Sequence, residues 1–108
     1  MLPKIVTGWQ SETSEFLLNF GINPANVLSI DGEKLPVNEL RDWLNFCDNL
    51  SRSDSRYALL LSNVDLLSIE AQNILLKPLE EKKDDVEMYL LVGNENKVLP
   101  TILSRCEV

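Results

Sequence analysis

Short apolar runs alternate with longer amphipathic ones along this chain, and the alternation recurs four times with no low-complexity linker between units. Apolar runs closed by turn residues predict strands, whereas apolar residues at steps of three and four predict one buried face of a helix. Lys4-Ile5-Val6-Thr7, stopped by Gly8, is the first predicted strand. Ser11 or Thr13 then caps a helix carrying Phe16, Leu17 and Phe20, with Gly21 as its left-handed stop. Val27-Leu28-Ser29-Ile30 predicts a second strand, closed by Asp31-Gly32. Pro36 suits the first turn of the next helix, in which Val37, Leu40, Leu44 and Cys47 line one face and Trp43 widens it. The polar stretch 49–56 ends that helix. Tyr57-Ala58-Leu59-Leu60-Leu61 is apolar at every position and predicts a strand covered on both sides, as central strands of parallel sheets are. Ser68 caps a third helix with Ala71, Ile74, Leu75 and Leu79 inward. Pro78 predicts a kink or early end near Lys77, because proline lacks a backbone donor and crowds the carbonyl four residues back. Met88-Tyr89-Leu90-Leu91-Val92 is the fourth predicted strand, and a short last helix runs from Pro100 through Ser104, Arg105 and Cys106.

Strict strand-helix alternation predicts the α/β class: one domain over residues 1–108, built on a parallel sheet of about four strands with helices on both faces. In open sheets of this kind functional groups gather at the carboxyl ends of the strands, here Gly8, Asp31, Ser62 to Asp65, and Gly93 to Asn96. Composition narrows the chemistry. With 17 acidic and 10 basic side chains the formal charge is −7, which argues against a free-standing nucleic-acid binder, since phosphate neutralisation needs a basic face. The lack of histidine removes the commonest general base and any Ser/His or Cys/His nucleophile pair. Cys47 and Cys106 stand far apart, so neither a disulfide framework nor a CxxC zinc site is expected. No apolar run approaches the ~20 residues of a membrane span and no signal-peptide pattern opens the chain, so a cytoplasmic location without membrane contact is expected. Trp9 and Trp43 read as packing residues, and Glu80-Glu81-Lys82-Lys83-Asp84-Asp85 as a solvated connection of mixed sign.

Two longer motifs carry specific information. After the Tyr57–Leu61 strand comes Ser62-Asn63-Val64-Asp65-Leu66, and then a helix reading Ala71-Gln72-Asn73-Ile74-Leu75-Leu76-Lys77-Pro78-Leu79-Glu80-Glu81. Farther along stands Leu99-Pro100-Thr101-Ile102-Leu103-Ser104-Arg105-Cys106. Together they resemble the bacterial DNA polymerase III clamp-loader AAA+ subunits, and most of all the delta-prime type. That family has an Asp-Glu-Ala-Asp-like quartet, a helix ending Leu-Leu-Lys-x-Leu-Glu-Glu, and a later Ser-Arg-Cys segment. The match is close over residues 57–106 and rests on strand-helix order alone over 1–56. It implies a truncated P-loop NTPase core in DNA replication, without the fifth strand, lid and collar domains of the family.

The departures from the family pattern define the expected role. An ATPase of this family needs a phosphate loop, GxxxxGK[ST], after its first strand. Counted from Gly8, that pattern finds Thr13, Ser14 and Glu15 where Gly, Lys and Ser/Thr should stand. Ser62 and Asn63 replace the metal-organising Asp and the water-activating Glu, leaving Asp65 as a loop-orienting residue. The sensor position falls on Gly93 or Asn94, and only Asn94 can hydrogen-bond a phosphate. No bound cofactor, nucleotide or metal is therefore expected. Ser104-Arg105-Cys106 is intact, and by resemblance Arg105 is an arginine finger presented to the nucleotide of a neighbouring subunit. A finger of this kind implies an exposed side chain with no strong internal carboxylate partner. Cys106 reads as a small buried hydrophobe. Partners implied are the other clamp-loader subunits, with sliding clamp and DNA reached only indirectly. The family strand order 5-1-4-3-2 leaves the first strand at an edge and implies self-association there. Two other readings stand beside this one: an atypical ATPase using Asp65 and Asn94, and a receiver-like signalling domain, which lacks its carboxylates at Thr7-Gly8 and Ser62-Asn63.

Overall fold

The four apolar runs form one parallel sheet in the computed structural model, which describes residues 3–7, 27–50, 57–81 and 86–106. The strands are β1 (Lys4–Thr7), β2 (Val27–Asp31), β3 (Tyr57–Ser62) and β4 (Val86–Val92), in the spatial order β1-β4-β3-β2. The interior strands β3 and β4 are the two runs that are most continuously apolar, because an interior strand has a covered face on either side. Their registers lock together: Ile5 and Leu61 both stand opposite Leu90, and Leu28 stands opposite Leu59.

Alternation along the strands builds two cores. Ile5, Leu59, Leu61, Met88, Leu90 and Val92 are buried on one face, with Leu28 and Ile30 beside them. Ala58, Leu60, Tyr89 and Leu91 are buried on the other, against Val6 and Val27. The described helices all contribute to the first face. They are α1 (Val37–Leu50), α2 (Ile69–Ile74), α3 (Leu76–Glu80) and α4 (Pro100–Leu103). In α1 the predicted stripe holds: Leu40 and Cys47 are buried, with Trp43 and Leu44 packed against the same cluster. The helix read from Ser11 or Thr13, with Phe16, Leu17, Phe20 and Gly21, lies outside the described residues, as do Gly8, Trp9, Thr13, Ser14 and Glu15. None of the described helices is long and apolar enough to cross a membrane.

β2 and β3 each run one residue past their predicted ends, to Asp31 and Ser62, and three other boundaries differ by more. The third helix breaks at Leu75 and not near Lys77. Pro78 has no N–H to give the Ile74 carbonyl and its ring crowds that oxygen, so the ladder fails a full turn before the proline. There the Leu75 N–H closes a tighter bond to the Gln72 carbonyl, 3.1 Å. The last helix ends at Leu103, and Ser104, Arg105 and Cys106 continue as turns whose Arg105 and Cys106 amides reach back to Ile102 and Leu103. Finally, β4 begins at Val86, two residues before Met88, because Tyr57 and Ala58 of β3 pair with Val86 and Glu87. Glu87 fits there because its carboxylate accepts the Tyr89 hydroxyl at 2.8 Å.

Candidate functional site

The carboxyl ends of β2, β3 and β4 lie side by side and are tied by their own polar groups. Gly32 N–H donates to the Ser62 carbonyl at 2.8 Å, and Asn63 Nδ2 donates to Asp31 Oδ1 at 2.8 Å. The same Asp31 oxygen accepts the Glu33 N–H at 2.9 Å. Asn63 holds a left-handed backbone with φ 53°, which asparagine tolerates better than most residues. A Cβ at position 32 would lie 2.6 Å from the Asn63 carbonyl, so only glycine fits this crossing. Ser62 turns its hydroxyl back to the Ile30 carbonyl at 3.4 Å.

Asp65 joins β3 to the end of β4. One carboxylate oxygen accepts the Gly93 N–H and the other the Asn94 N–H, each at 3.1 Å. Asn94 uses its side-chain oxygen to accept the Asn96 N–H at 3.0 Å, capping the short turn Glu95–Lys97. Asp65 is thus the loop-orienting residue of the sequence reading, and the loop it orients is that of β4. Among the described residues no group of three or more His, Cys, Asp or Glu side chains could hold a metal ion.

The arginine segment is mounted on the other end of this same unit. Ser68 Oγ accepts the Ala71 N–H at 3.1 Å and starts α2, as its sequence position predicts. One turn on, Gln72 is 2% exposed. Its Nε2 donates to the carbonyls of Leu67 (3.2 Å) and Lys97 (3.0 Å), and its Oε1 accepts the Leu99 N–H at 2.8 Å. Leu99 immediately precedes Pro100, which has no N–H, so Gln72 secures the entry to α4 at its last available amide. Ile102, fully buried, then anchors α4 in the core. Cys106 packs half-buried against the same cluster, and burial pushes its thiol up to about 11; Cys47 is pushed up to about 11 for the same reason. Both are poor nucleophiles near neutral pH.

Arg105 corrects an expectation. Its side chain was expected to be free of an internal carboxylate; instead Nε and Nη2 both donate to Glu80 Oε1, each at 2.7 Å. Nη1 donates to the Thr101 carbonyl at 2.9 Å and lies 3.5 Å from Ser104 Oγ. Ser104 Oγ itself donates to the Thr101 carbonyl at 3.0 Å. Glu80, read from sequence as part of a solvated run, is the carboxylate concerned. The break at Leu75 is what sets α3 alongside α4 and so brings these side chains together across a separation of 25 residues. The pair remains at the surface, with Arg105 35% and Glu80 56% exposed.

A family model described as DNA polymerase III, delta subunit, matches residues 11–108. The chain belongs to that family. A curated relative, the DNA polymerase III subunit delta' of Pseudomonas aeruginosa, is 34% identical over 70 residues, 65% of this chain and 21% of the relative. Among solved structures, a DNA polymerase III gamma subunit-related protein from Thermotoga maritima superposes with a TM-score of 0.76 at 25% identity, covering 99% of this chain and 39% of that one. This delta-family chain therefore spans well under half the length of either protein. The order β1-β4-β3-β2 also disposes of the receiver-like alternative, in which the first strand would neighbour the third.

Two residues of this delta-family site were not read from sequence. Gln72 had a signal: it stands three and seven residues before the inward Leu75 and Leu79, a polar side chain on an apolar stripe. Glu80 had none, because nothing in a charged run says which carboxylate meets a distant arginine.

Proposed function

We propose that this chain is a non-catalytic AAA+ module of a bacterial clamp loader that presents Arg105 in trans to the nucleotide of a neighbouring ATPase subunit. The observation that carries this reading is the mounting of Arg105: a surface guanidinium in the turn that follows a short helix, itself secured by buried Gln72 at its entry and Ile102 in its body. A planar, permanently charged group so placed suits the charge that develops on a phosphoryl group during transfer. The strand ends support the passive half of the reading. Both oxygens of Asp65 accept backbone amides, and Asn63 stands where the family has its water-activating Glu. With Thr13, Ser14 and Glu15 in place of the loop lysine and its neighbours, the chain neither binds ATP nor hydrolyses it, and takes no cofactor. An atypical ATPase would need Asp65 directed at a metal, and Asp65 is directed at Gly93 and Asn94.

The partners of such a module are other clamp-loader subunits, with sliding clamp and DNA engaged through them, in the cytoplasm during replication. Arg105→Ala in the assembled loader is expected to lower ATP turnover by about tenfold or more while leaving the thermal unfolding of this chain unchanged. Arg105→Lys is expected to rescue little, because an ammonium is a point charge where a planar fork is required. Undiminished turnover in the alanine variant overturns the reading.

A further inference from the structure

The guanidinium of Arg105 is occupied before any neighbour arrives. Its Nε and Nη2 edge is the one that grips a carboxylate or phosphate through parallel bonds, and Glu80 holds that edge at 2.7 Å. Both donors converge on a single oxygen, Oε1, so the grip falls short of the two-oxygen fork that makes such pairs strongest. With 35% and 56% exposure the two side chains are well hydrated and screened, which makes the contact easy to exchange. A phosphate approaching Arg105 in this arrangement meets the negative charge of Glu80 beside its target. The two anions compete for one cation and repel each other.

We infer that Glu80 is a latch, holding Arg105 in the unassembled subunit and releasing it to the terminal phosphate of the neighbour's nucleotide on assembly. The inference rests on the reading of Arg105 as a trans-acting finger. It accounts for a finger that is paired at home: the exchange replaces a carboxylate, held through one oxygen, with a phosphate that carries more charge and more acceptor oxygens. Thr101 and Ser104 keep hold of Nη1 during the exchange, so the side chain pivots and does not swing free. The latch lies on the five-residue α3, which the break at Leu75 separates from α2, so Glu80 can yield without disturbing Gln72.

Glu80→Gln keeps the acceptor oxygen and the length of the side chain while removing the charge. Titrated as the full subunit into its cognate ATPase subunits, it is expected to reach half-maximal stimulation of ATP turnover at about threefold lower concentration than the wild type. The Glu80→Gln/Arg105→Ala double variant is expected to show none of that gain. An unchanged or higher half-maximal concentration, or a lower turnover, overturns the latch and leaves the finger standing if Arg105→Ala alone abolishes stimulation. If Arg105→Ala alone changes nothing, the finger reading fails and the latch fails with it. A second measurement needs no neighbour. Hydrogen exchange at Arg105 Nε, followed by nuclear magnetic resonance, is expected to be slower in the wild-type chain than in Glu80→Ala at low salt, with the difference erased at high salt. Equal exchange in the two proteins overturns the latch.

Discussion

Gln72 and Glu80 both hold the arginine segment, yet their energetic weights differ by the environment each occupies. Gln72 is buried, and its removal strands the Leu67 carbonyl in the interior and leaves the part-buried Leu99 N–H and Lys97 carbonyl without their amide partner. An orphaned buried group costs about 1–3 kcal/mol, whereas an exposed ion pair such as Glu80–Arg105 contributes about 0–1 kcal/mol. Gln72→Met, of similar shape and without hydrogen-bonding capacity at its tip, is therefore expected to destabilise the fold by about 2–3 kcal/mol in urea denaturation. A loss below about 0.5 kcal/mol would show that solvent replaces the amide and that the entry to α4 is held by Ile102 alone. Glu80→Gln belongs to the other class and is expected to leave the same denaturation midpoint nearly unmoved.

Among the elements, strands were easier to read than helix ends. Each strand is an apolar run of period two or an unbroken one, and the sheet that covers it repeats the same signal from neighbouring strands. β1 begins and ends where the sequence predicts, at Lys4 and Thr7. β4 is longer than its apolar run, since pairing with β3 recruits Glu87, whose polarity hides it from a reading of hydrophobicity. Helix ends depend on single groups. The cap at Ser68 is legible because its donor lies three residues away, and it is found as read. Ser68→Ala is expected to cost about 1 kcal/mol, measured as a lowered unfolding midpoint, and Ser68→Asp to restore most of it. The break at Leu75 was legible in kind and misplaced in position: Pro78 acts on the residues one turn before it, where its missing donor and its ring are felt.

At the scale of the whole molecule, β1 is paired only with β4 among the described strands. No described strand lies along its other edge, where exposed Lys4 and adjacent Pro3 are the local obstacles to another strand. This chain is therefore expected to associate through β1 at high concentration, seen as a mass rising with concentration in light scattering. A chain that stays monomeric while its Ile5 and Val6 amides exchange slowly would show that another segment of the protein already covers the edge. Saturating the edge in an assembly of subunits would suppress the association, which gives the same measurement a second arm.

The chain's own order of residues determined the α/β class, the four strands, the buried stripe of α1, the cap at Ser68 and the family, because all of these are written in local periodicity or in contiguous motifs. The candidate arginine was legible for the same reason: Leu99 to Cys106 is one unbroken segment. The tertiary structure alone decided that Asp31 meets Asn63, that Asp65 meets Gly93 and Asn94, that Gln72 meets Leu99, and that Arg105 is held by Glu80. Each of these contacts joins a side chain to a group 25 or more residues away, brought within 3.1 Å by parallel strand pairing and by the offset between α2 and α3. Spacing along a chain reports which side chains share a helix face or a sheet face, and it carries no record of which faces later pack together.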